Sequence, residues 1–559
     1  MKRKILIALA VWAGLLFVGA LSIGVGLWQL RTAANTVRSD NIEASDVASV
    51  ANRVGWANVM LLSARYNPAV LSLRLVPGLT WVSPAVSDGS EVVSHVNGVL
   101  GNGGEIVLAA VFSGELTPRP GEIDVQQAEL IASAVAGFDE RIAGLRTAVA
   151  QFDDISIPFV DDEERIDAVV KADEYLELAE SGVAALKQLP KLLGVDEPAR
   201  YFVGITNEAE LRAVQGIIGE YAIVNVEGGK ISVERSGSNT DLENPQSLPA
   251  ELIGEYSQIY GERNTEWQNM NLSPFFDHGA AQVTHAWKMQ TGQSLNGVVL
   301  LDTVALAKWA IPKVGVIESA QGRRLETWEA LADYLSNGIY FEFPTDQFAR
   351  KEFQSAIASE LITAVTSTAI EPQQVVKSLA KPMIDGRVVV WLNGEAGVEF
   401  NKTLLAHSMA WSQDDVVVGF NNWTGNKMDF YLRAEVGWSA CGTFILTLRS
   451  TADSEVAYPD YLVRRLDQDV ELEAEIGSLL DVNVAFPKGV DVLSVLVDGE
   501  MAAIDTYPID GNRTVVRNRT EIFVGSQTEL VFSVDSDKEC HSTAIRVAPL
   551  RHDVVARLR

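Results

Sequence analysis

Residues 297–310 read GVVLLDTVALAKWA, and the fold class turns on them. Residues 297–301 are wholly apolar, the run ends in Asp302, and a helical pattern opens at once over 303–310. Strand, sharp turn and helix at this spacing imply an α/β domain whose sheet is covered on both faces. Working outward, YFVGI (201–205), YAIVNV (221–226) and KISVER (230–235) read as further strands, with Glu227-Gly228-Gly229 as a tight turn between the last two. Helices are expected around 250–260, 280–289 and 346–365. Asp302 has two readings: a ligand contact at the carboxyl rim of the sheet, or the N-cap of the following helix.

Beyond about Trp438 the helical periodicity gives way to short, closely spaced strand-like runs, among them 444–448, 490–497 and 530–534. That pattern is the signature of a β-sandwich. Before the α/β domain, residues 41–62, 126–152 and 163–189 carry apolar residues at helical spacing, while the Pro- and Gly-rich stretches around 68–84 and 101–104 read as loop. At the very start, Lys2, Arg3 and Lys4 introduce an uninterrupted apolar run over 5–27. At a rise of about 1.5 Å per residue this can cross a bilayer core of roughly 30 Å, with the basic residues on the cytoplasmic side. The expected organisation is therefore a transmembrane signal anchor (1–30), a helical stalk or bundle (31–197), an α/β domain (198–438) and a β-sandwich (439–559). A cleavable signal peptide ending near Val18-Gly19-Ala20 is the alternative to the anchor. Either way the bulk of the chain is expected outside the cytoplasm, with the lipid bilayer as a partner of the anchor.

The 559 residues carry 74 acidic against 45 basic side chains, a formal charge of −29. That balance argues against nucleic acid, whose binding is dominated by phosphate neutralisation, so an acidic ligand needs a local basic pocket. The two cysteines, Cys441 and Cys540, both fall in the last domain. In an exported protein they are expected to form a disulfide; two separate buried thiols are the alternative. His278 and His285 lack a carboxylate cluster that would complete a zinc site. Ser378-Leu379-Ala380-Lys381 matches SxxK, but Pro382 interrupts the helix such a nucleophile needs and no KTG follows. Arg350 lies in register with Phe353, Ile357 and Leu361 on an apolar helix stripe, which makes it either a structural ion pair or an anion contact.

The strongest local pattern is NEAELRAVQGIIG, 207–219, directly after the first strand. It resembles the family known as domain of unknown function 4012, found in exported bacterial proteins, through Asn207, Glu210, Leu211, Arg212, Gly216, Ile218 and Gly219. Further matches are Trp267, Asn269, Asn271, Pro274 and Asp277, then GVVLLD, then NNWTGNKMDFYL at 421–432. The resemblance covers roughly 199–462 and departs where the family's Thr-Gly-Gly is Val214-Gln215-Gly216. The order of elements is more distantly similar to the LytR-CpsA-Psr envelope enzymes, which join glycan from a lipid pyrophosphate carrier to peptidoglycan. That similarity implies a LytR-CpsA-Psr-like α/β fold, with Arg212, Arg350 and Arg323 or Arg324 as phosphate contacts and Asn207, Glu210 and Asp302 beside them. It leaves Glu220 as the nearby carboxylate for a metal. The expectation is a binding or scaffolding component of cell-surface glycan assembly, with cell-wall or lipid-linked glycan as partner and no cofactor. The alternative is a phosphotransferase moving glycan to the cell wall, for which Mg²⁺ would be required.

Overall fold

The structure is a computed structural model. It describes residues 44–75, 82–99, 121–153, 183–245, 265–367, 385–394, 415–440, 442–467, 475–503, 505–509, 513–535 and 545–558, with a few isolated positions between. Two compact units are present, one comprising 1–119, 123–192 and 371–373, the other 120–122, 193–370 and 374–559.

The first unit is helical. Its elements are α1 (Ala44–Arg65), α2 (Pro68–Ser72), α3 (Val82–Val99), α4 (Val125–Ala134) and α5 (Phe138–Asp153). Val54, Ala57 and Leu61 of α1 bury against Val93 of α3. The loop expected over 68–84 is corrected for 68–75 and 82–84, where Pro68 and Pro84 stand at positions helices tolerate; 76–81 lie outside the described residues. Pro68 opens α2 behind the cap of Asn67, whose side chain accepts from the Ala69 amide at 2.9 Å, and Pro84 sits in the first turn of α3. The amides of a first turn have no intrahelical partner to lose.

The expected architecture of a LytR-CpsA-Psr-like domain behind a transmembrane helix is also corrected. The described residues form mixed sheets, and none of their helices is long and apolar enough to cross a membrane. α1 has the length, at 22 residues, but Asp46, Arg53 and Arg65 interrupt it. Apart from Ser22, the apolar run over 5–27 lies outside the described residues, as do 101–104, Cys441 and Cys540.

In the second unit, β1 (Ala199–Leu211), β2 (Gly216–Glu227), β3 (Lys230–Ser238), β4 (Gly297–Asp302) and β7 (Val388–Leu392) make one sheet in the order β3-β2-β1-β4-β7. β5 (Ile317–Glu318) and β6 (Arg324–Leu325) form a separate ribbon. Within the five-stranded β3-β2-β1-β4-β7 sheet, β1 and β4 are parallel and the other described pairs antiparallel. Side chains alternate across the sheet. Ile205, Ala222, Leu301 and Val388 bury one face beneath helices that include α7 (Thr303–Val314), α8 (Trp328–Asp333) and α9 (Gln347–Ser367), whereas Phe202, Tyr221, Val298, Leu300 and Val389 bury the other against Trp267 and α6 (Phe276–Thr291). Both faces are covered, which is why GVVLL shows no polar alternation.

The β-sandwich begins earlier than residue 439. Its strands are β8 (Val416–Asn422), β9 (Leu432–Ala440), β10 (Thr443–Ser450), β11 (Gly477–Ala485), β12 (Asp491–Val497), β13 (Glu500–Met501), β14 (Asp505–Ile509), β15 (Arg513–Phe523), β16 (Gln527–Asp535), β17 (Ile545–Val547) and β18 (Val555–Leu558). They form sheets of order β13-β12-β16-β10-β9-β18 and β14-β15-β11-β8-β17. Between them Phe444 meets Phe486 edge-on at 5.8 Å, with Trp438, Phe420 and Phe532 around the pair.

The outer face of the five-stranded sheet packs onto the α/β layer. Asn421 on β8 accepts from the Ala213 amide at 2.9 Å and donates to the Leu272 carbonyl at 3.0 Å, closing the turn between β1 and β2 onto the sandwich. Gly419 sits under that turn, and a Cβ there would lie 2.7 Å from Ala213 Cβ and 3.0 Å from its carbonyl oxygen. Both obstacles are too stiff to move cheaply. Gly419→Val is therefore expected to destabilise the protein by about 2 kcal/mol or more, read as a lowered urea midpoint with the slope unchanged.

Candidate functional site

Within the second unit, where the α/β layer meets the sandwich, lies a cavity of about 530 Å³. Its floor is the end of β1. The pairing of β1 with β2 slips between Ile205 and Thr206 and again between Asn207 and Leu211, so NEAEL bulges out of the ladder although it remains strand. The bulge re-aims successive side chains. Asn207 turns its amide to the Leu335 carbonyl at 3.3 Å and to the Tyr340 hydroxyl at 3.4 Å. Glu208 points away from the cavity, accepting from Thr303 Oγ1 at 2.6 Å and Ser336 Oγ at 3.0 Å. Burial, reinforced by Asp302, pushes its carboxyl up.

Glu210 is held from two sides. It accepts from Arg212 Nη2 at 2.8 Å and from Lys427 Nζ on the sandwich side, and all three side chains are buried. Burial alone would raise the Glu210 carboxyl, but Lys427 and Arg212 outweigh it and hold the group below its ordinary range. The same carboxylate keeps Lys427 charged against its own burial. Arg212 is further committed to Asn269 Oδ1 at 3.0 Å and the Leu211 carbonyl at 2.8 Å. Asp429 accepts from the Leu211 amide at 2.9 Å and from Asn422 Nδ2 at 2.7 Å, with its carboxyl raised by burial to about 6. Gln215, at the departure from the family's Thr-Gly-Gly, accepts from Thr206 Oγ1 and donates to the Gly386 carbonyl, each at 2.8 Å.

The opposite wall is different. Arg350 on α9 is 3% exposed and, among the described residues, forms no ion pair. Its guanidinium donates to Gln347 Oε1 at 2.7 Å and Gln354 Oε1 at 2.6 Å, and lies 4.9 Å and 5.1 Å from the ring centroids of Tyr340 and Tyr461. Lys351 beside it reaches Ser238 Oγ and Asn239 Oδ1 at 3.2 Å and Thr240 Oγ1 at 3.3 Å, none of them a carboxylate. Burial draws its ammonium down. Glu220 on β2 accepts from Ser355 Oγ at 2.8 Å, and burial lifts its carboxyl to about 7. Trp423, 41% exposed, lines the cavity under the Arg519 guanidinium, which stands 3.9 Å over its ring.

Of the residues proposed from sequence, Arg212, Arg350, Asn207, Glu210 and Glu220 line this one cavity. Asp302 and Arg324 do not. Asp302 caps α7 through the Ala305 amide at 2.7 Å and accepts from Arg387 Nη1 at 2.7 Å, so its carboxylate is fully used in the interior. Arg324 lies on β6, where it pairs with Glu326 at 2.8 Å in solvent, and Arg323 stacks near Tyr334. Among the described residues no three His, Cys, Asp or Glu side chains are arranged to hold a metal. Glu220 is itself bordered by Lys351 and Arg350, a setting that does not fit a Mg²⁺ ligand. Lys351, Gln354, Tyr340, Tyr461 and Asp481 line the cavity without having been assigned to it. Lys351 follows Arg350 in sequence, which is the one local hint; the others arrive through long-range packing.

With the geometry in hand, comparison with known proteins adds one finding. Residues 196–340 match the family model described as protein of unknown function, DUF4012. Over this segment the chain is similar to the DUF4012 family. The segment contains Asn207, Glu210, Arg212 and Glu220, whereas Arg350, Lys351 and Lys427 come from beyond the matched stretch. The cavity is therefore completed by chain outside the DUF4012 match. No curated protein matches the chain.

Two outcomes follow from the charges. Removing the Lys427 ammonium leaves Glu210 with half of its compensation, so Lys427→Met is expected to cost about 3–5 kcal/mol in chemical denaturation. For Glu220, an acid raised by folding keeps its proton to higher pH in the native state. Its contribution favours folding below the ordinary value of 4.5 and is lost as pH rises towards about 7. Glu220→Gln should therefore gain stability over the parent between pH 4.5 and 7.5, by on the order of 3 kcal/mol. The raised Asp429 titrates in both proteins and cancels from the difference.

Proposed function

We propose that the protein is a binding component of extracytoplasmic glycan assembly, and that its cavity holds a phosphorylated saccharide. One observation carries the reading: Arg350 is buried at a cavity wall, its guanidinium bonded to neutral amide oxygens and stacked near aromatic faces, with Glu220 close by but not in a salt bridge with it among the described residues. A guanidinium removed from water gains most from an oxyanion that it can grip with two parallel hydrogen bonds. Lys351 on the same helix adds a second cation, hydrogen-bonded to hydroxyl and amide oxygens, with Glu220 and Asp241 acting on it from beyond salt-bridge distance. Tyr340, Tyr461 and Trp423 supply aromatic surface, and Asn239, Gln268 and Asn269 supply amides, the mixture that suits a sugar with its apolar faces and hydroxyl edges. A local cationic wall also answers how an acidic ligand would approach a chain of charge −29.

The phosphotransferase alternative would draw on Glu220 and Asp302 for the metal. Asp302 is spent on Arg387 and the helix cap, and Glu220 sits among cations, so binding is the reading we carry. Isothermal titration with glucose 1-phosphate and with glucose tests it. Glucose 1-phosphate is expected to bind and glucose to bind far more weakly, with Arg350→Gln weakening the former about tenfold or more. Equal binding of the two sugars, or an Arg350→Gln protein that binds as the parent does, would refute the reading.

A further inference from the structure

A second group of cations stands away from the cavity, on the outer face of the six-stranded sheet. In the pairing of β9 with β10, Arg433 lies directly opposite Arg449. Their neighbours Leu432, Ala434 and Leu448 point into the sandwich core, so both arginines project from the other side. Like charges facing each other across a strand pair destabilise it. Among the described residues neither arginine forms an ion pair; the Arg433 guanidinium donates from Nη1 to the neighbouring Leu432 carbonyl at 3.1 Å. The pairing continues with Thr447 opposite both Glu435 and Glu529, so acids lie one step along while Arg449 is flanked by Gln527.

Two further basic residues border the pair. Arg551 is buried and held by Asp333 Oδ1, at 2.9 Å from Nε. His552 packs edge-on against Phe430 at 5.9 Å. Burial, with Arg433, Arg551 and Arg387, lowers its imidazole to about 4, so it is a neutral hydrogen-bonding ring at physiological pH. Burial, Arg449 and Arg551 likewise weaken the hold of Arg433 on its proton. In a protein with 74 acidic residues, these two arginines face each other with no carboxylate in salt-bridge contact among the described residues, the neighbouring acids being Glu435 and Glu529 one step along the sheet and Asp553 beside His552.

We propose that Arg433 and Arg449, bordered by His552, form a binding site for a phosphate dianion, free or as a terminal monoester. Two guanidinium forks on one face can share a tetrahedral oxyanion, and the anion turns their mutual repulsion into attraction. The site does not rest on the function proposed for the cavity, since neither arginine lines it.

Thermal unfolding of the full chain, in sodium phosphate against sodium chloride of equal ionic strength, tests the site. Phosphate is expected to raise the midpoint beyond chloride. Arg449→Gln should raise the midpoint in phosphate-free buffer, by relieving the repulsion, and should abolish the phosphate-dependent rise. Arg433→Gln should abolish that rise as well, whereas Arg350→Gln should keep it, which separates this site from the cavity. In the Arg350→Gln background, which weakens the cavity proposed for phosphorylated sugars, glucose 6-phosphate in place of inorganic phosphate separates the sources, a larger rise that is lost on adding Arg449→Gln assigning the site to a monoester and a smaller one to the free anion. No phosphate effect beyond chloride, a full effect surviving in Arg449→Gln, or an effect lost only in Arg350→Gln would overturn the proposal.

Discussion

The second unit depends on one buried carboxylate shared by two cations. Glu210 leaves the bulged end of β1, meets Arg212 two residues on, and meets Lys427 from the sandwich. Each charge is expensive to bury alone, and each is tolerable because the others are present. Around this triplet the chain satisfies the turn between β1 and β2 with side chains from far away: Asp429 takes the Leu211 amide and Asn421 takes the Ala213 amide. The turn is thereby fixed to the sandwich by directional bonds as well as by packing, and the cavity floor inherits that rigidity.

Against this neutralised floor, α9 presents cations of another kind. Arg212 and Lys427 are bonded directly to a carboxylate, whereas Arg350 and Lys351 bond to hydroxyls and amides, Arg350 beside aromatic rings. The cavity is therefore polarised across its width even though its lining holds as many acids as bases: Glu210, Glu220, Asp467 and Asp481 against Arg212, Arg350, Lys351 and Lys427. Pairing, more than composition, decides which charges face a ligand. Asp481 and Asp467 are likewise occupied, by Arg517 at 2.6 Å and Arg465 at 2.7 Å.

The sheet was readable because its signal is local. GVVLL has no polar alternation since both faces are covered, and Glu227-Gly228-Gly229 turns where two glycines take positive φ of 54° and 83°. What could not be read is long-range. NEAEL was placed after the end of the first strand, although that strand runs on through it, because a bulged strand loses the period-two pattern that identifies strands. Val416–Asn422 looked like part of the α/β segment, yet it pairs with Gly477–Ala485. Arg350 was recognisable as an arginine on an apolar stripe, but its lack of an ion pair depends on Gln347 and Gln354 filling the space. Asp302 was correctly suspected of capping a helix, while its second partner, Arg387, lies 85 residues away.

The lock around Glu210 also bears on how such proteins can diversify. An α/β layer whose turn amides are satisfied by another layer's asparagine and aspartate is not a freely exchangeable module. Joining it to an unrelated sandwich would strand two amides, an arginine and a carboxylate in the interior at once. A viable exchange would need Gly419, Asn421, Lys427 and Asp429 to travel with Glu210 and Arg212, so the two layers are expected to diverge as a single heritable piece, with variation gathering on surfaces that the lock does not touch.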